Sequence, residues 1–192
     1  MRILGFDPGL ATVGYGVIES DGRNNVAVDY GVIKTPPDEN TAVRLAMIDA
    51  AAAELMDRFR PDAVAVEELF FNTNITTGIR VAEARGVLLV CAVKLCGNLF
   101  EYTPLQIKQA MVGYGRADKR QVQQMVRVFL NLDKIPKPDD AADALAIAIC
   151  HALRPSGALE GGEREQHLTP AQRQWAQATQ HATRRRGVRR GM

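Results

Sequence analysis

Arg2-Ile3-Leu4-Gly5-Phe6-Asp7-Pro8-Gly9 is the stretch that decides the fold. It is a short apolar strand that runs into a carboxylate and then into a Pro-Gly turn signal. Two more strand patterns follow at once, Val13–Glu19 and Val26–Thr35, joined by the hairpin signal Asp21-Gly22-Arg23-Asn24. Strands linked by turns this short must pair antiparallel. The chain therefore opens with a three-stranded meander, which Pro36-Pro37 ends.

Beyond the meander the period changes. Asn40 or Thr41 can cap a helix whose apolar positions are Leu45, Ile48, Ala52, Leu55 and Phe59, and Pro61-Asp62 stops it. Ala63–Glu68 reads as a fourth strand and Phe70–Thr77 as a polar loop. A second long helix carries Ile79, Ala82, Gly86, Leu89 and Val93 on one face, and Asn98–Tyr102 is a fifth strand. Pro104 opens a short helix to Val112, broken by Gly113-Tyr114-Gly115. Asp118 caps another helix, bearing Val122, Met125, Val126 and Phe129. After Pro136 and Pro138 an Ala-rich helix runs from Asp139 or Asp140 to about Leu153. Strands separated by helices favour parallel pairing. The expectation is an α/β domain with a mixed five-stranded sheet, helices on both faces, and no internal repeat.

The chain has 192 residues, and its apolar share of 46% is enough for a proper core. Its longest apolar runs, such as Gly86–Val93 and Ala141–Ile149, fall well short of a membrane span of about 20 residues. No signal peptide shows at Met1-Arg2-Ile3-Leu4. Cys91, Cys96 and Cys150 each sit in an apolar helical setting, which reads as buried reduced thiols in a cytoplasmic protein. The net charge of +2 is unevenly spread. Residues 154–192 hold eight Arg against three Glu, leaving the body at −3. The expected division is thus a domain over 1–153 and a basic, disordered tail over 154–192, with a short helix near Ala171–Thr179. Within the body, Lys108 to Arg127 carries five basic residues against Asp118 alone. That concentration suits either a polyanion partner or a solvated helix.

Four carboxylates stand where a core would not place them. Asp7 and Glu67 close apolar strands, and the carboxyl ends of strands in such sheets face the ligand crevice. Asp140 and Asp143 are three apart on the last helix and share a face. Asp140 reads equally as an N-cap, whereas Asp143 interrupts the buried pattern Ala141-Ala142-Asp143-Ala144-Leu145-Ala146-Ile147. Gathered carboxylates repel one another unless a cation lies between them. An all-oxygen set without His or Cys selects Mg²⁺ or Mn²⁺ and points to two-metal chemistry on a phosphate. Lys119 and Arg120 adjoin the Asp118 cap at a helix N-terminus, which itself favours phosphate.

Gly5-Phe6-Asp7-Pro8-Gly9 with Gly14-Tyr15-Gly16, then Val66-Glu67-Glu68-Leu69-Phe70, Ala84-Arg85-Gly86 and Asp140-Ala141-Ala142-Asp143-Ala144-Leu145-Ala146 together resemble the RuvC family. The similarity runs from Met1 to about Leu153 in matching order and spacing. It implies a ribonuclease-H-like fold, a homodimer, and metal-dependent nicking of opposing strands in four-way (Holliday) DNA junctions during recombination and repair. The products it implies carry 5′ phosphates. The family's catalytic and metal-holding acids fall on Asp7, Glu67, Asp140 and Asp143, with two Mg²⁺ or Mn²⁺ ions per site. Its DNA-proximal lysines resemble Lys108 and Lys119, and its junction-contacting aromatic resembles Phe70. A partnership with the RuvA–RuvB branch-migration complex belongs to the same resemblance.

Small residues Ala82 and Gly86 make the second long helix a candidate dimer contact, with packing on the sheet as the alternative. The Asp7-Pro8-Gly9 turn is also similar to the phosphate turn of actin-like ATPases, but those need two such domains. A nuclease of the same fold acting on RNA or transposon ends is a further alternative, which a substrate panel separates. An inactive junction binder would have no use for four acids.

Overall fold

The computed structural model describes residues 1–69 and 75–154. The chain divides into two units, Met1–Leu153 and Arg154–Met192, and all but the first residue of the second lies outside the described residues. The expected tail disorder and the helix near Ala171–Thr179 therefore fall outside what is described.

Ten elements follow one another: β1 (Arg2–Asp7), β2 (Thr12–Ser20), β3 (Asn25–Lys34), α1 (Thr41–Phe59), β4 (Ala63–Glu67), α2 (Ile75–Leu95), β5 (Leu99–Tyr102), α3 (Pro104–Val112), α4 (Lys119–Phe129) and α5 (Asp139–Ala152). The strands form one sheet in the order β3-β2-β1-β4-β5. β1, β2 and β3 pair antiparallel, while β4 runs parallel to β1 and β5 parallel to β4. The mixed five-stranded sheet read from the sequence is therefore the one observed. The helix α2 begins at Ile75, so the loop expected to reach Thr77 ends earlier.

Side-chain alternation along each strand divides the core in two. Leu4, Phe6, Val64 and Val66 meet α1 and α2 on one face through Ile48, Ala52, Ala84 and Leu88. Ile3, Ile18, Ala65 and Tyr102 meet α3, α4 and α5 on the other through Ile107, Val122, Val126 and Leu145. By the same alternation Asp7 and Glu67 project on the α5 side.

The helix α5 is buried on nearly every side from Ala141 to His151 and lies unusually close to the sheet. A Cβ on Gly5 would stand 2.2 Å from the Ala144 carbonyl oxygen, and one on Gly14 would stand 2.0 Å from that of Asp140. Gly5 of β1, facing Ala144 and Ala148, and Gly14 of β2, under Asp140, are what let the start of α5 press against the strands.

Three sequence expectations need correction. The N-cap position of α5 is Pro138, with no side-chain cap, so neither Asp139 nor Asp140 caps the helix. The buried stripe of α2 is Ala84, Leu88, Cys91 and Ala92, whereas Gly86, Ile79 and Val93 of the expected face are exposed. Both stripes have helical spacing, and only packing decides between them. Cys91 and Cys150 are buried, as expected, but Cys96 at the end of α2 is half-buried. No described helix is long and apolar enough to cross a membrane.

Candidate active site

β1 and β4 end side by side, with Phe6 paired to Val66, so Asp7 and Glu67 leave the sheet as neighbours. Asp143, one turn into α5, faces them. A cleft of about 220 Å³ is lined by Asp7, Glu67 and Asp143 together with Lys108 of α3 and Lys119 of α4. Its walls are apolar, formed by Ile107, Val122, Ala146 and Ile147. Two larger surface hollows lie elsewhere: one at the opposite end of the sheet around Met1 and Arg60, the other beside α4 around Arg127 and Lys134.

Burial and mutual repulsion leave these acids reluctant to ionise. Asp7 is raised well above the usual carboxylate range, first by burial and then by the charges of Glu67, Asp143 and Asp140. Glu67 is pushed up to about 7, mainly by burial and then by Asp143, with Lys108 and Lys119 opposing. Burial also raises Asp143, against the pull of its hydrogen bond with Lys119. Asp140, half-buried, does not line the cleft, yet its charge acts on both Asp7 and Asp143.

Lys119 Nζ lies 2.7 Å from Asp143 Oδ2 and 3.9 Å from Asp139 Oδ2. Desolvation pulls this ammonium down, but the hydrogen bond to Asp143 and the charges of Asp143, Asp139 and Asp7 outweigh it and hold it above its ordinary value. A positive charge thus already stands among the acids. As placed, no three Asp, Glu, His or Cys donors among the described residues draw together in ion-holding geometry. The donor chemistry nevertheless fits a hard divalent cation, because these are oxygen ligands carrying repulsion that a cation would relieve.

The basic residues differ in placement. Lys108 and Lys119 line the cleft, whereas Arg120 is exposed on the second residue of α4 and does not. Asp118 caps α4 with a reciprocal Gln121 contact, which fixes Lys119 on the first helical residue. Phe70 lies outside the described residues.

Two further residues are tied to the site. Asp139 accepts a hydrogen bond from Lys137 Nζ at 2.6 Å while flanking Lys119. Arg85 of α2 donates from Nε to the Glu67 carbonyl at 3.1 Å and pairs with Glu101 of β5. The motif Ala84-Arg85-Gly86 was the only available pointer to the second.

Comparison with known proteins follows the same line. The sequence model of a family described as "Crossover junction endodeoxyribonuclease RuvC" matches residues 3–151. A protein of that name from Bifidobacterium animalis subsp. lactis is 52% identical, covering 100% of both chains. Another from Rubrobacter xylanophilus is 58% identical over 79% of this chain and 84% of its own. Among solved structures, Thermus thermophilus RuvC in complex with a Holliday junction substrate superposes with a TM-score of 0.72 at 39% identity, covering 80% of this chain and 94% of that one.

Proposed function

The chain belongs to the RuvC family of crossover junction endodeoxyribonucleases, and from that premise we propose that its cleft nicks opposing strands of a four-way DNA junction. The fold is the ribonuclease-H-like fold of that family. The observation that carries the proposal is the cleft itself, where Asp7, Glu67 and Asp143 share one wall system with Lys108 and Lys119. Acids alone would repel a phosphate, and lysines alone would only bind it. The two together can hold a phosphodiester over a cation site.

Asp7, Glu67, Asp140 and Asp143 would hold a pair of Mg²⁺ or Mn²⁺ ions. When bound, such ions supply Lewis-acid activation of water and stabilise charge on the departing 3′ oxygen. Lys119, now paired with Asp143, would on release meet the scissile phosphate and offset the charge that develops on it. Lys108, which also lines the cleft, would hold the strand by a second phosphate contact. The apolar walls from Ile107, Val122 and Ile147 shield the buried side of the acid cluster from water. Phe70 contacting the junction bases, and Arg120 reaching a more distant phosphate, complete the reading.

Paired nicks need two symmetric sites, and a homodimer supplies them. The exposed apolar stripe of α2, with Ile79, Val90 and Val93 each more than half exposed, is the surface on which two copies would meet. Partnership with RuvA–RuvB, a cytoplasmic setting, and a basic tail over 154–192 that adds general DNA affinity are parts of the same proposal. A substrate panel tests it: four-way junction, linear duplex and RNA–DNA hybrid, each with Mg²⁺ or Mn²⁺. Symmetric nicks in the junction, with 5′ phosphates that a ligase reseals, are expected. Preferential cutting of the hybrid would contradict it.

A further inference from the structure

The carboxylate of Glu67 can act only if the strand end beneath it is held, and at that end the sheet holds β4 from the β5 side alone. Pairing of β1 with β4 stops at Phe6 and Val66, one residue short of Glu67. On the other side, Val64 N–H donates to Asn98 and Glu68 N–H to Tyr102, both towards β5. Strand alternation then turns the Glu67 carbonyl towards β1, past the last paired residues there. Arg85 supplies the missing donor. Its Nε reaches the Glu67 carbonyl at 3.1 Å, while the same guanidinium pairs with Glu101. Glu101 is in register with Val66 and so stands on the α2 face, behind the sheet, whereas the Glu67 side chain projects to the α5 face. Arg85 is about four-fifths buried, so this charge-assisted bond is shielded from water.

We propose that Arg85 is a positioning residue for catalysis: it clamps the Glu67 backbone from behind, using Glu101 as its anchor, and thereby fixes the carboxylate in the cleft. The proposal rests on Glu67 being one of the catalytic acids. Only a planar, forked donor can serve the carbonyl and Glu101 together, so lysine is an incomplete substitute. A partner that orients an acid without touching the substrate typically changes ion affinity or rate about 10–100-fold.

The test uses full-length protein and two readouts, Mn²⁺ binding without DNA and single-turnover junction cleavage set beside junction affinity. Arg85→Gln is expected to weaken Mn²⁺ binding and slow cleavage, each roughly tenfold or more, with junction affinity nearly unchanged. Arg85→Lys should recover part of both losses. In a Glu67→Gln background, Arg85→Gln should weaken Mn²⁺ binding no further, because its effect passes through Glu67. Should Arg85→Gln lose its fold by circular dichroism, Glu101→Gln serves instead, with smaller losses of the same kind. Wild-type Mn²⁺ affinity and rate in Arg85→Gln, alongside an inactive Glu67→Gln, would overturn the clamp alone. An equal loss of Mn²⁺ binding with and without the Glu67 carboxylate would also overturn it. A Glu67→Gln variant that cleaves like wild type would remove the catalytic reading beneath it.

Discussion

Lys119 Nζ sits 2.7 Å from Asp143 Oδ2, so a side-chain cation occupies the acid cluster. The pairing has opposite consequences for ion binding and for cleavage. Removing the ammonium in Lys119→Met frees Asp143 for a divalent ion but deprives the phosphate of its partner. Mn²⁺ binding without DNA should tighten, by about 1 kcal/mol for one partly exposed charge. Junction cleavage should fall by roughly 100-fold. Calorimetry and single-turnover assays check the two signs, and a variant that loses both properties together would contradict the assignment.

Glu67 sets a pH dependence. Its folded carboxyl titrates at about 7, against 4.5 as its ordinary value, so the fold favours the protonated form. In ion-free protein this costs stability as pH rises from about 4.5 to about 7, and the full cost persists above that. Glu67→Gln removes the cost. Its ion-free melting temperature should exceed that of wild type at pH 8, by several degrees for about 3 kcal/mol, and match it at pH 4. Divalent-ion affinity of the wild type should fall as pH drops through about 7, because the ion competes with the proton. Thermal melts across pH 4–8 and Mn²⁺ titrations across pH 5–8 decide both points.

The glycines under α5 should tolerate nothing larger. Gly14→Ala would drive a methyl into the Asp140 carbonyl at 2.0 Å, and Gly5→Ala into the Ala144 carbonyl at 2.2 Å. Each should cost about 1–3 kcal/mol and displace the acids of α5, so cleavage should drop more than stability alone explains. Gly86→Ala meets nothing within 4 Å and should stabilise the monomer fold. Denaturant melts of the three variants check the contrast.

Much of this was legible in the sequence, for identifiable reasons. Asp7 and Glu67 stood out because each ends an apolar strand, and Asp143 because it interrupts a buried helix. What escaped was decided by packing between distant segments. The two apolar stripes of α2 share one period, so the pattern could not say that Ala84, Leu88, Cys91 and Ala92 turn inward. The glycines of β2 carried no visible purpose until α5 was seen lying on them. Arg85 shows in the sequence only as part of the Ala84-Arg85-Gly86 motif and Asp139 only as a helix start, since their partners at the site, Glu67, Glu101 and Lys119, lie 16 or more residues away.

The outward stripe of α2 gives a prediction about assembly. Val93 is 57% exposed and Ile79 52%, so charges there should leave the fold intact. Ile79→Glu together with Val93→Glu should yield a monomer by light scattering with an unchanged circular dichroism spectrum, and should abolish paired nicking. A dimer that survives both charges would place the interface elsewhere.

The most direct measurement sets binding against cleavage in the acid variants. Asp7→Asn, Glu67→Gln and Asp143→Asn are each compared with wild type on a synthetic mobile four-way junction, by gel shift without divalent ions and by nicking with Mg²⁺ or Mn²⁺. Affinity for junction phosphates comes mainly from Lys and Arg, so all three variants should bind at least as well as wild type while nicking neither strand. Retained nicking with lost binding in any of them would contradict the account.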